Sequence, residues 1–184
     1  MTQRDLHSLL AAISRAVQAE QRRQAAAAGL PAVQWQILGY LGQANRYSNT
    51  PQALADYLGL TKGTVSQSLQ RLEEGGWLKR QADPDDGRVT RLALSRRGLQ
   101  LLAADGDDWI EALGRVPARE SGAAADALRL ALGEWQRSRS GRSFGVCSSC
   151  AHFRTEGHDL RCGLTGESLS EYDATRICRE NSVR

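Results

Sequence analysis

The stretch that decides the fold is Thr50-Pro51-Gln52-Ala53-Leu54-Ala55-Asp56-Tyr57-Leu58-Gly59-Leu60-Thr61-Lys62-Gly63-Thr64-Val65-Ser66-Gln67-Ser68-Leu69-Gln70-Arg71-Leu72. Thr50 is placed to cap a helix whose first residue, Pro51, loses nothing by lacking an N–H. Gly59 breaks that helix and Leu60 turns inward. Thr61 then caps a second helix running to about Glu74, with Val65, Leu69 and Leu72 as its buried stripe. Two capped helices joined by a glycine turn make a helix-turn-helix. Its second helix leaves Lys62, Thr64, Ser66, Gln67, Gln70 and Arg71 on exposed positions. Such short hydroxyls and amides suit a helix that reads base edges: Gln bonds adenine bidentately, and Ser or Thr bonds bases or phosphates.

Outward from this unit the pattern stays regular. Gly75-Gly76 ends the second helix. Trp77 to Gln81 and Val89 to Leu94 then read as two short strands around the polar turn Asp83-Pro84-Asp85-Asp86-Gly87. Arg88 stands beside Asp86 at the hairpin tip, where an arginine can enter a minor groove. Ser95 is placed to cap a helix through about Leu113, and a last helix is expected over Glu120 to Gln136. Upstream, Leu6, Leu9, Leu10, Ile13 and Val17 fall at helical spacing in a helix expected to reach Ala28, and a further helix is expected from about Pro31 to about Gln43. In that helix Trp35 and Tyr40 read as core, with a ligand pocket as the alternative. The expected fold is mainly α with a small β-wing.

Residues 5–136 resemble the MarR family of regulators, through Leu54-Ala55-Asp56-Tyr57-Leu58, Thr64-Val65-Ser66 and Leu69-Gln70-Arg71-Leu72-Glu73. The wing signature is Asp83-Pro84-Asp85-Asp86-Gly87-Arg88, followed by Leu92-Ala93-Leu94-Ser95-Arg96-Arg97-Gly98. Ser95 departs from the usual threonine but keeps the capping oxygen. The resemblance implies a winged helix-turn-helix homodimer, held by the first and last helices of this region, on a pseudo-palindromic site in double-stranded DNA. It further implies that Arg88 contacts the minor groove while Asp86 orients it. A dimer is also expected because one wing module reads only a half-site.

Composition is permissive. Net charge is +3 in 184 residues, so a nucleic-acid surface must come from local clustering. No apolar run approaches the roughly 18 residues of a membrane span. The start, Met1-Thr2-Gln3-Arg4-Asp5, lacks a basic-then-apolar leader, so a cytoplasmic location is expected.

All four cysteines lie near the end, as Cys147-x2-Cys150-x11-Cys162-x15-Cys178. In a reducing compartment that clustering suggests a metal site, since a CxxC turn grips one ion or cluster and two later cysteines complete four ligands. The division expected is a winged-helix and dimerisation domain over 1–136, a linker over 137–146 and a cysteine-rich module over 147–184. The lone second-half cysteines resemble the small HiPIP-like cluster domains of glycyl-radical enzyme accessory subunits, with Phe153 trailing the CxxC. That resemblance implies a [4Fe-4S] cluster. Structural zinc is the alternative, and redox-active disulfides a third; His152 and His158 are spare ligands. Because the module follows the last helix, loss of its ligand is expected to alter the spacing of two recognition helices.

These features point to a DNA-binding regulator, and a repressor is the expected sign. Neither a nucleophile–His–acid set nor a phosphate loop nor a dinucleotide fingerprint is present, so an enzyme is not expected. An electron carrier using the winged domain as a scaffold, and a constitutive architectural protein with a zinc knuckle, remain as alternatives.

Overall fold

The computed structural model describes residues 2–104, 108–138 and 143–182. Helix α1 (Gln3–Ala27) opens on a reciprocal cap: Thr2 accepts from the Asp5 N–H, and the Asp5 carboxylate accepts from the Thr2 N–H at 2.7 Å. Helix α2 (Ala32–Gln43) starts after Pro31 and buries Trp35, Ile37, Leu38, Tyr40 and Leu41. Helix α3 (Pro51–Leu58) and helix α4 (Lys62–Glu74) form the turn unit. Thr50 Oγ1 accepts the Ala53 N–H at 3.2 Å, and Thr61 Oγ1 accepts the Thr64 N–H at 3.2 Å. Between the two helices Gly59 sits at φ 64°, a left-handed conformation that disfavours any side chain.

The core gathers Ile37, Leu38, Leu54, Val65, Leu69, Leu72, Leu78 and Leu92, each at most 2% exposed, so α2, α3, α4 and the wing share one apolar centre. The wing is an antiparallel pair, β1 (Leu78–Ala82) and β2 (Thr90–Leu94), in register Leu78↔Leu94 to Ala82↔Thr90. Ser95 caps the next helix as expected: its Oγ accepts the Gly98 N–H at 3.1 Å and donates to the Gly76 carbonyl at 2.7 Å. That helix, α5 (Arg96–Ala104), is followed by α6 (Asp108–Gly114) and α7 (Ala118–Ser138). A continuous helix to Leu113 was expected, but its middle, 105–107, lies outside the described residues.

Leu9, Leu10 and Ile13 on α1, and Leu128, Leu130, Leu132 and Trp135 on α7, are exposed. Tyr40 is core, with its hydroxyl on the Ser48 carbonyl at 2.8 Å. Trp35 is buried as well, and it also edges an open cleft with Val17, Gln21, Leu102 and Trp109.

The C-terminal module contains β3 (Gly145–Val146), a 3-10 turn (Cys147–Ser149), β4 (Phe153–Glu156), β5 (Asp159–Cys162), β6 (Ser168–Leu169), α8 (Glu171–Ala174) and β7 (Ile177–Cys178). β3 pairs with β7, while β4, β5 and β6 form a separate antiparallel sheet. Of the linker expected over 137–146, residues 139–142 lie outside the described residues, α7 continues to Ser138 and β3 already begins at Gly145.

The module is anchored on the winged helix. Ala44 forms a parallel bridge with Ile177, and the Asn45 N–H donates to the Ile177 carbonyl at 3.0 Å. The Arg176 guanidinium donates to the Gly42 carbonyl. Tyr57 of α3 packs edge-on against Phe144, ring centroids 5.2 Å apart. Among the described residues no helix is long and apolar enough to cross a membrane.

Candidate nucleic-acid interface and cysteine site

Helix α4 presents the face that its sequence predicts. Val65, Ser68, Leu69 and Leu72 are buried, while Lys62, Thr64, Ser66, Gln67, Gln70 and Arg71 are all exposed. The Thr61 cap leaves Thr64 pinned, with the two hydroxyls 2.9 Å apart. Gln70 donates to Glu74 at 2.9 Å, so its amide is held along the helix rather than projecting free. The start of α4 is therefore the more open part of that face.

At the wing tip the Arg88 side chain is 92% exposed, and its Nε donates to Asp86 Oδ1 at 3.1 Å. Asp86 also accepts the Arg88 N–H at 3.1 Å, so the carboxylate fixes both ends of the residue it orients. Behind the tip, Asp83 Oδ1 accepts the Asp85 and Asp86 N–H groups at 2.9 and 3.0 Å. Its other oxygen takes Arg91 Nε. The Arg91 guanidinium, followed by the Asp86 and Asp85 N–H groups, holds the Asp83 carboxyl below the usual carboxylate range. Arg91 then reaches the Arg46 carbonyl and Asn49 Oδ1, tying the wing to the α2–α3 loop.

The module's topology explains how cysteines far apart in sequence come to one place. Pairing of β3 with β7 sets Gly145 opposite Cys178, and Cys147, two residues on, packs in one cluster with Cys178. Pairing of β4 with β5 sets Phe153, just after Cys150, opposite Cys162. All four thiols line one cavity, closed by Tyr47, Phe153, Leu164 and Leu169, with His152 at its edge. None forms a disulfide. They line the cavity without converging on a point: among the described residues, no three His, Cys, Asp or Glu side chains are grouped to hold one metal ion. His152 shares that wall, whereas His158 does not line the cavity.

Backbone N–H groups and burial together set the surroundings of these sulfurs. The His152 N–H donates to Cys150 Sγ at 3.4 Å, and the Ser182 N–H to the same sulfur at 3.3 Å. Burial, and then the neighbouring Cys178, Cys150 and Cys162 thiols, push the Cys147 thiol up to about 12. Burial likewise raises Cys178, against the opposing pull of the Asn45 amide and the Glu180 N–H. Cys147 and Cys178, both buried, therefore resist ionising unless a cation joins them.

Three residues that bear on these sites escaped the sequence reading. Asn45 is 1% exposed, with Oδ1 accepting from the Tyr47 N–H and Ser48 Oγ, while its Nδ2 has no well-formed hydrogen bond. Arg179 sets its N–H on Ser48 Oγ at 2.9 Å and its guanidinium toward Thr50 Oγ1 at 3.5 Å and Asp56 at 3.4 Å. Arg91 is the third. A lone polar residue in a loop carries no periodic signal, so only the fold reveals these partners.

Comparison with known proteins agrees with this geometry. Residues 28–89 match the MarR family model. Transcriptional regulator PA3341 is 26% identical with a TM-score of 0.62, over 72% of this chain and 98% of its own. A MarR transcriptional regulator from Methanosarcina mazei Go1 is 22% identical with a TM-score of 0.56, over 73% and 99%. MepR of S. aureus, in a DNA complex, is 23% identical with a TM-score of 0.56, over 70% and 94%. No curated protein matches the chain. The matched proteins are regulators rather than enzymes, as the sequence leads one to expect. Residues 28–89 thus match the MarR family model, in a chain whose fold is the winged helix also seen in these regulators.

Proposed function

We propose that this chain is a DNA-binding transcriptional regulator of the MarR type, a cytoplasmic homodimer that represses from a pseudo-palindromic operator. The observation that carries this is the exposed face of α4 beginning at Lys62, set beside a wing arginine that its own aspartate aims outward. The start of α4 enters the major groove, and Arg88 enters the flanking minor groove. Each chain reads a half-site, and the exposed stripes of α1 and α7 supply the surface that pairs two copies. The MepR–DNA complex shows a protein of this fold on DNA. The test is duplex binding by fluorescence anisotropy across a salt series. Affinity falling steeply with salt, and favouring sequences enriched from a random pool, is expected. Purified chain that ignores duplex at low ionic strength overturns the assignment.

For the module, the proposal is a thiolate-bound centre on Cys147, Cys150, Cys162 and Cys178: a [4Fe-4S] cluster, with structural zinc as the alternative. The shared cavity and the N–H groups aimed at Cys150 support a bound centre of either kind. Zinc–sulfur bonds of about 2.3 Å require the four sulfurs to draw together around one ion. Iron and sulfide analysis of anaerobically purified protein, beside zinc analysis, decides between them, and finding neither metal removes the centre. A Cys147→Ala chain with the wild-type chain's affinity for duplex shows that the centre is a staple and not a sensor.

A further inference from the structure

We infer that Arg179 is a positioning residue for DNA reading: with Arg176, it makes residues 176–179 of the C-terminal module a strap from the end of α2 to α3, the brace on which α4 is mounted. The inference deepens the regulator reading proposed above and rests on it. It calls on nothing bound at the thiols.

The strap begins at the end of α2. The Arg176 guanidinium lies 4.1 Å from the Tyr172 ring centroid and donates to the Gly42 carbonyl. Gly42 is in the last turn of α2, where carbonyls lack partners within the helix and a cation is favourable. Ile177 then bridges Ala44 and accepts the Asn45 N–H at 3.0 Å. The Arg179 N–H donates to Ser48 Oγ at 2.9 Å. Ser48 is fully buried; its hydroxyl donates to Asn45 Oδ1 at 2.9 Å and its carbonyl takes the Tyr40 hydroxyl at 2.8 Å. The module thus supplies one donor to a buried polar network of the winged helix.

The Arg179 side chain carries the strap onto α3. Its guanidinium donates to the cap oxygen, Thr50 Oγ1, at 3.5 Å, and pairs with Asp56 Oδ2 at 3.4 Å, so it grips α3 near both ends. The side chain is only 11% exposed, and a charge so nearly buried is costly without partners. The same low exposure leaves it little surface to offer a phosphate, so it acts on DNA through α3. Phe144, edge-on against Tyr57, adds a second hold on that helix. Nor does α3 shift alone. Leu54 shares one core with Leu69 and Leu72 of α4, and the Leu60 N–H closes the turn between the helices on the Ala55 carbonyl at 3.0 Å. A change in the seat of α3 therefore re-aims the exposed face of α4.

The test compares the full chain with Arg179→Gln, Asp56→Asn and the double variant. Each is titrated by fluorescence anisotropy, across a salt series, with a duplex enriched from random-sequence DNA and with a scrambled duplex. Arg179→Gln is expected to lose about tenfold on the enriched duplex, within the range for residues that tune a site without touching its ligand, and less than about twofold on the scrambled one. Its salt slope is expected to match wild type, because no phosphate contact is removed. The double variant is expected to lose no more than the worse single one. Without DNA, Arg179→Gln is expected to speed amide exchange at Ala53, whose N–H Thr50 caps. Circular dichroism confirms folding, and Asp56→Asn carries the same comparison if Arg179→Gln does not fold. Wild-type affinity of the folded variant for the enriched duplex overturns the positioning role. So does a slope lower by about one with equal loss on both duplexes, which marks a phosphate contact. Fully additive losses in the double variant sever Arg179 from Asp56 and overturn it as well. Should wild type ignore every duplex, the regulator reading falls; unchanged Ala53 exchange is the separate result that overturns the hold on α3.

Discussion

Replacing Gly98 with alanine sets two rules against each other, and the structure decides the sign. Gly98 is the third residue of α5, where alanine ordinarily stabilises a helix by about 1 kcal/mol. Here a Cβ would stand 2.3 Å from the Trp77 carbonyl oxygen and 3.3 Å from Leu94 Cδ2. The oxygen is backbone, and it already accepts the Ser95 N–H at 3.0 Å, so no flexible side chain can yield. Overpacking costs about 1–3 kcal/mol in general, and a rigid neighbour places this site at the upper end. The net expectation is a loss of about 2 kcal/mol, or roughly 4–8 °C in Tm for a chain of this length. Gly39→Ala is the matched control: its Cβ meets nothing within 4 Å inside α2, so stability is expected to rise. Urea and thermal unfolding of both variants measure the pair. A Gly98→Ala protein as stable as wild type would show that the junction of wing and α5 is looser than the packing implies.

Arg88→Ala is expected to weaken duplex binding and to flatten the slope of log affinity against log salt by about one, checked by anisotropy at several salt concentrations. Leu69→Ala, emptying a fully buried position on α4, is expected to cost about 2–5 kcal/mol in urea unfolding while leaving the exposed side chains of α4 chemically intact. Thr61→Ala removes the oxygen that caps α4 and is expected to cost about 1 kcal/mol, with faster amide exchange at Thr64. The Asp83 carboxyl titrates lower when folded, so its contribution is full above the ordinary carboxylate pKa and fades as pH falls through the folded value. NMR of the wing amides is expected to show the Asp85 and Asp86 signals shifting in that acid range, and Asp83→Asn to abolish the pH dependence.

Much of the winged helix is legible because its rules are local. The caps of Thr50, Thr61 and Ser95 and the turn at Gly59 each act within four residues, and the stripe Val65, Leu69, Leu72 follows from helical period alone. The exposed face of α4 needs only the complement of that stripe. The cysteine spacing likewise names four residues that the fold gathers around one cavity, though it does not reveal how far apart their sulfurs stand. The sequence treats the module as a bead beyond a linker, whereas the structure seats it on the α2–α3 loop. That seat depends on pairs such as Arg46 with Ser168 and Arg179 with Asp56, more than 120 residues apart. No local pattern reports pairings of such range. Asn45 and Arg91 stayed silent for the related reason that one polar residue in a loop or strand resembles any other until its partner is known.

The bridge between Ala44 and Ile177 bears on how this protein can be shortened. A version ending at Ser138 would look like a tidy removal of an appendix. It would instead leave the Ser48 hydroxyl without the Arg179 N–H, open one side of the Tyr57 ring where Phe144 now lies, and strip the Asn45 N–H of its acceptor. Such a fragment would carry damage at the brace of its reading helix, and any weakness in its grip on DNA would report the cut surface rather than the missing thiols.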